Sequence, residues 1–305
     1  MNSWRRVISA PWACAFASIA LGDLPFDRSD PQPSYIYETK PGNEGCQKSV
    51  ARVFAYSRKP EEHEALAKIT KQLGLCLKVV HVFISKYPEV QPYVAHMPNK
   101  TSLQRHARAN ARKQVSQWLS FRSVLTAIEA EVPAGEAALV LETDARLSLG
   151  GFDEMLGSLL QQLRMRVGDD KWDICFVGSC FDRGPRFTSW YGISGNSTDF
   201  VTPYLARSRT PMCAHAMAIN GRSARRIQNL IRSSLLRRPA AESTIGGGFD
   251  SWLTLLVDQG KIRAFTAWPP LAVQNGCGFQ FDDLYVPPYK PKSSNSSWCD
   301  RAPHW

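Results

Sequence analysis

At 305 residues, 44% hydrophobic and 21% charged, the chain can bury one large core or two modest ones, which excludes a wholly disordered protein. Its formal charge of +10 and pI near 9.3 favour acidic partners such as nucleotide diphosphates, anionic glycans, phospholipid surfaces or nucleic acid. Charge alone does not choose among them.

Arg5 and Arg6 precede an apolar stretch from Val7 to Leu21, and a polar, Pro-containing segment from Gly22 to Pro33 follows. The pattern resembles a secretory signal. The stretch is shorter than the roughly 20 residues a spanning helix needs, contains Pro11, and carries Ser18 and Ala20 in a cleavage-like arrangement. Residues 1–22 are expected to be a signal peptide or a short signal-anchor, with any membrane attachment through that segment alone, and the rest to be lumenal in the ER or Golgi, or secreted. Asn99, Asn196 and Asn295 each open an Asn-x-Ser/Thr acceptor, consistent with that route. Of the eight cysteines, seven would remain after loss of Cys14, enough for at most three internal disulfides and one spare thiol. No Cys-x-x-Cys occurs, and Cys213 with His215 is the only close Cys/His pair, which disfavours a structural zinc site.

Residues 23–49, rich in Pro, Asp, Ser and Gly, read as a linker or arm. A catalytic domain is expected over 50–286. Arg52 to Tyr56 reads as a strand and Ser57 to Pro60 as a turn. Glu61 to Leu73 reads as a helix with Leu66, Ile69 and Leu73 on one face and Gly74 as its stop. Leu77 to Ile84 is a second strand, so the domain opens as a βαβ unit of the nucleotide-binding kind. After an irregular stretch with Pro88, Pro92 and Pro98, a long helix presents Val115, Trp118, Phe121, Leu125 and Ile128 on one face.

Ala137 to Leu147 is a buried-strand run carrying Glu142 and Asp144. Residues two apart in a strand point to the same side, so both acids project together from its end. Two oxygen donors there suit Mg²⁺ or Mn²⁺ and, through the metal, a diphosphate. They read equally as strand-end acids that cap a turn or pair with Arg146. Phe152 to Leu163 is a helix and Trp172 to Gly178 a buried strand. The polar and aromatic connection from Gly184 to Arg209 has the length of a substrate loop. Cys213 to Ile219 is a strand, Gly221 to Leu236 a basic amphipathic helix, and Gly246 to Gly248 leads into a helix from Phe249 to Gln259. A short strand over Ile262 to Ala267 follows, and residues 287–305 form a Pro, Lys and Ser rich tail.

The order Glu142-Thr143-Asp144, Trp172-Asp173 with Gly178, Cys213-Ala214-His215-Ala216 leading into Asn220-Gly221-Arg222-Ser223-Ala224, then Asp250, then Pro269-Pro270-Leu271-Ala272-Val273-Gln274 resembles glycosyltransferase family 25. That family includes bacterial lipooligosaccharide galactosyltransferases and collagen hydroxylysine galactosyltransferases. The resemblance implies an α/β chain of the GT-A kind with a mostly parallel central sheet and flanking helices, a UDP-sugar donor, and Mn²⁺ or Mg²⁺ held by Glu142 and Asp144. It implies transfer of a hexose, galactose from UDP-galactose foremost, to a glycan or glycoprotein acceptor with inversion. The chain departs from the family at Thr143, where an acid is expected, and at Ser116-Gln117, where Ser-His is expected. Those departures motivate the alternative of a non-catalytic lectin-like or scaffolding protein of the same fold.

Inversion needs one group to take the acceptor proton, and Asp250 behind its glycine run is the candidate base. It is equally placed to cap the helix it opens. Tyr56, Ser57 and Arg58 end the first strand, where the resemblance implies nucleotide contacts. Arg58 reads equally as a solvated turn residue. Asp173, His215 and Gln274 are further candidate substrate contacts. His215 reads alternatively as a hydrogen-bonded core histidine and Asp173 as a carboxylate that orients the sheet backbone. Arg105, Arg108 and Arg112 form a basic stripe at helical spacing, and Arg222, Arg225, Arg226, Arg232, Arg237 and Arg238 enrich a second region. Solvated helix faces explain most such runs; an approach path for UDP-sugar or an anionic acceptor is the functional version. The secretory signal and the lack of a recognised module argue against nucleic acid as partner.

Overall fold

The computed structural model describes residues 35–38, 49–56, 60–80, 82–83, 86–95, 97, 99–143, 145–147, 151–179, 181–182, 200–237, 249–268 and 270–274. The expected signal segment, most of the connection after Gly184 and the tail from 287 lie outside them, as do Ser57, Arg58 and Asp144.

The strands are β1 (Tyr35–Glu38), β2 (Arg52–Tyr56), β3 (Leu77–Val80), β4 (Ala137–Glu142), β5 (Ala145–Leu147), β6 (Ile174–Gly178), β7 (Phe181–Asp182), β8 (Phe200–Thr202), β9 (Leu205–Arg207), β10 (Pro211–Met212), β11 (Ala216–Asn220), β12 (Ala264–Ala267) and β13 (Ala272–Gln274). The helices are α1 (Pro60–Gln72), α2 (Ser102–Glu131), α3 (Phe152–Arg166), α4 (Ala224–Arg237) and α5 (Phe249–Asp258), with a 3-10 turn over Pro88–Tyr93. The fold is α/β, as expected. Gly74 and Gly260, at φ 68 and 65, end α1 and α5 in the left-handed conformation that glycine adopts without a Cβ clash.

Nine strands form one sheet in the order β1-β3-β2-β4-β11-β6-β12-β9-β8, with small two-stranded sheets β10-β7 and β13-β5 beside it. The sheet is mixed rather than mostly parallel. The pairs β3-β2, β2-β4 and β6-β12 are parallel, whereas β11 runs antiparallel to both β4 and β6, and β1, β9 and β8 add antiparallel edges. Local periodicity reports burial and not strand direction, which is why the reversal of β11 is invisible in the chain's patterning. β1 falls within the expected arm; its Tyr-Ile-Tyr-Glu is too short to establish a period. β3 stops at Val80, short of the expected Ile84.

Each face of the sheet carries its own core. Leu139 and Leu141 pack with Leu66 and Ala67 of α1 and Leu156 and Leu160 of α3. Phe54 and Val140 pack with Val115, Phe121 and Val124 of α2, Ile227 and Ile231 of α4 and Leu253 of α5. The strands alternate between these layers because successive side chains leave a strand on opposite sides. From β2 the chain passes through α1 to β3 on one side. It then returns through α2 on the opposite face to β4 on the other side of β2, which makes the carboxyl ends of β2 and β4 a topological switch point.

Candidate functional site

Tyr56 ends β2 and Glu142 ends β4, and the parallel register sets them side by side. The Tyr56 hydroxyl donates to Glu142 Oε1 at 2.8 Å, so the half-buried carboxylate is fixed in orientation at the mouth of the switch point. From the antiparallel neighbour, the carbonyl of His215 accepts the backbone N–H of Glu142 at 2.9 Å. The antiparallel run of β11 brings its amino end, not its carboxyl end, to this edge.

His215 is buried, 1% exposed, with Nε2 at 3.3 Å from the carbonyl of Ala272. Gly178, the last residue of β6, lies under the same ring. A Cβ there would stand 2.6 Å from His215 Nε2 and 2.7 Å from the Ala272 carbonyl, so only glycine lets strand and imidazole approach this closely. Two residues before His215, Cys213 holds φ 63, a left-handed conformation uncommon for a residue with a side chain, and is disulfide-bonded. β13 closes this side: Gln274 pairs with Ala145, the residue after Asp144.

Asp250 arrives from the helical layer. The Tyr56 ring meets Phe121 edge-on with centroids 6.4 Å apart, Phe121 meets Phe249 at 4.4 Å, and Phe249 precedes Asp250 in the first turn of α5. Gln117, standing where the resemblance expects histidine, accepts the Phe249 N–H through Oε1 at 3.4 Å and helps seat the start of α5. Tyr56, Glu142, His215, Gln274 and Asp250 are thus carried to one edge of the sheet, while Ser57, Arg58 and Asp144 lie outside the described residues. Thr143 turns its hydroxyl to the other layer, donating to Glu62 of α1 at 2.9 Å.

Asp173 is not part of this group. It sits just before β6, at the amino end of that strand and the opposite edge of the sheet, and is 0% exposed. Its carboxylate accepts from Ser223 Oγ at 2.6 Å, from Arg263 N at 2.7 Å and Nη2 at 3.0 Å, and pairs with Arg226. Burial alone would raise the carboxyl, but these donors from Arg263, Arg226 and Ser223 outweigh it and hold it down at about 2. The arrangement ties β6 to β12 and to the turn before α4.

Patterning did not reveal the aromatic bridge through Phe121 and Phe249 or the Gly178 contact, because each joins residues far apart in sequence. Phe121 was legible only as a core position. Among the described residues no three His, Cys, Asp or Glu side chains form a metal-sized group, and no helix is long and apolar enough to cross a membrane. Comparison with models of known families, and with curated proteins, finds no match for the chain.

Proposed function

We propose that the protein is a metal-dependent inverting glycosyltransferase of the GT-A kind, similar to glycosyltransferase family 25, that moves a hexose, galactose from UDP-galactose foremost, to a glycan or protein hydroxyl. The observation that carries the reading is the Tyr56–Glu142 pair at the switch point, where open α/β sheets bind their ligands. Glu142 offers a hard carboxylate oxygen oriented by a phenol, of the kind a divalent ion takes. Asp144, expected to share its strand, falls between the end of β4 and the start of β5 in a second sheet and outside the described residues, and would add the second oxygen from that junction. Glu142 and Asp144 would hold Mn²⁺ or Mg²⁺, which when bound neutralises the charge of a departing diphosphate.

The chain's own groups divide the remaining work. Tyr56 fixes the direction of the Glu142 carboxylate. His215, lodged between Gly178 and the Ala272 carbonyl, stiffens the wall of the crevice. Asp250, at the start of a helix wedged against Phe121, takes the proton of the acceptor hydroxyl as it attacks. The disulfide bonds of Cys76 and Cys213 support an oxidising, secretory compartment.

Titration of the purified lumenal part with UDP, with and without Mn²⁺, tests the reading. Metal-enhanced UDP binding that Asp144→Ala and Glu142→Gln abolish is expected, followed by hydrolysis of one UDP-sugar among several offered. Glycan binding indifferent to UDP and metal would instead identify a lectin-like protein and end the transferase reading.

A further inference from the structure

Helix α2 is far longer than the sheet it covers. At its carboxyl end Glu131 meets Lys78 Nζ at 2.8 Å and Arg52 Nε at 3.3 Å, near the amino ends of β3 and β2. Phe121 is already level with Tyr56 at the carboxyl end of β2. The residues before Phe121 therefore run past the carboxyl edge of the sheet, and at 1.5 Å per residue the Ser102–Ser120 part extends roughly 27 Å beyond it. Gln117 on this part reaches the start of α5, and the 3-10 turn braces Ala111 and Val115 through Val90 and Tyr93. The outermost turns, from Ser102 to Asn110, stand over the side of the molecule where the candidate site opens.

Charge along α2 is segregated in the costly sense. A helix favours acids in its first turn and bases in its last, yet the first turn of α2 holds no acid and its last no base. Its acids are Glu129 and Glu131, at the far edge, where Arg225, Arg52 and Lys78 neutralise them. Ahead of them come Lys100, Arg105, Arg108, Arg112, Lys113 and Arg122 without an intervening acid. Arg108, Arg112 and Arg122 fall on the face that Val115 and Leu119 occupy. Nε of Arg108 and of Arg112 is shielded from solvent and has no hydrogen-bond partner among the described residues. Burial and the nearby Arg232 both push the Arg122 guanidinium down. A face that gathers like charges against the helix dipole and half-shields them is matched by a ligand of opposite sign.

We propose that the arginine-bearing overhang of α2, centred on Arg105, Arg108 and Arg112, docks an acidic polypeptide and brings it to the crevice at the ends of β2 and β4. The inference rests on the transferase reading only for what the docked chain is for, namely presenting the acceptor hydroxyl. Polypeptide is favoured over saccharide because Ser102 to Lys113 contains no Phe, Tyr or Trp on which a sugar ring could stack, and the same end exposes Leu103, 79% accessible, to an apolar side chain.

The test uses the whole lumenal chain and fluorescence anisotropy with a labelled poly-glutamate peptide, competed by a sulfated heparin oligosaccharide. The peptide is expected to bind without UDP or Mn²⁺, to weaken as salt rises, and to lose roughly tenfold or more in affinity in the Arg105→Glu/Arg108→Glu/Arg112→Glu protein. The charge-matched Lys68→Glu/Lys71→Glu/Arg166→Glu control, on the opposite layer, should bind as the parent does. The thermal midpoint of each variant is read alongside, since Arg105 also donates to the Lys100 carbonyl at 2.8 Å, and the Gln version of the same three positions repeats the measurement without added charge, so that lost docking is told apart from a fold defect. Absent binding, equal loss in the control, or tighter binding of heparin than of the peptide overturns the proposal. UDP titration is read separately, so the donor site failing and the docking face failing are distinct results.

Discussion

Replacing Tyr56 with Phe removes one hydroxyl while keeping the ring against Phe121, so the variant isolates what the hydrogen bond to Glu142 contributes. A hydrogen bond to a charged acceptor contributes about 1.5–3 kcal/mol, and the variant is expected to weaken Mn²⁺-assisted UDP binding by roughly tenfold or more with little change in thermal midpoint. Unchanged affinity by calorimetry would show that Glu142 needs no orientation. Asp250→Asn is a complementary case: UDP should bind as before while transfer slows by roughly a hundredfold or more, the usual range for losing a general base. Gly178→Ala acts through sterics, since a Cβ 2.6 Å from His215 Nε2 forces the imidazole or β13 to move. A loss of about 1–3 kcal/mol in denaturant unfolding, accompanied by weakened UDP binding, is expected. A variant as stable as the parent would mean the ring relocates freely.

At the scale of elements, the ion cluster around Asp173 joins β6, β12 and the turn before α4. Its carboxyl is depressed from an ordinary 3.8 to about 2, so it contributes stability above pH 4 that is lost as pH falls through about 2. Asp173→Asn, which leaves Arg226 and Arg263 without their shared counter-charge, is expected to cost about 3 kcal/mol at neutral pH. It should also flatten the unfolding profile between pH 4 and 2, whereas a profile as steep as the parent's would assign that acid sensitivity elsewhere. The same residue shows where sequence reasoning stops. Asp173 follows Trp172 much as Glu142 follows Leu141, and nothing local says that one carboxylate meets two arginines while the other meets a tyrosine. The helices were legible because their apolar spacing and their glycine stops are local: the buried residues Val115, Phe121, Leu125 and Ile128 were readable as one face of α2. The convergence of Tyr56, Glu142 and His215 depends on strand order and on the reversed β11, which only long-range pairing decides. β8 and β9, at three residues each, are too short to leave a period.

For the molecule as a whole, the disulfide-bonded Cys76 and Cys213 and the buried thiol of Cys175 set a redox pattern. Burial pushes the Cys175 thiol up, so it is expected to stay unreactive towards a thiol reagent until the chain unfolds. Reduction should lower stability by about 2–5 kcal/mol per bond, read as a fall in thermal midpoint under reductant. Equal stability with and without reductant would remove the argument for an oxidising compartment.

The backward course of β11 has one more effect. Because Gly178 and Ala216 are register partners, the chain leaves this edge of the sheet at the tip of β6 and rejoins it three residues after the strained Cys213, having added β8 and β9 at the far margin in between. Both feet of that excursion are anchored on the same sill. Since β9 and β8 pair at the sheet margin and Leu205 is buried in the core shared with α1 and α3, the excursion is tied into the layers at its strands, and only changes that spare those strand residues are absorbed at little entropic cost.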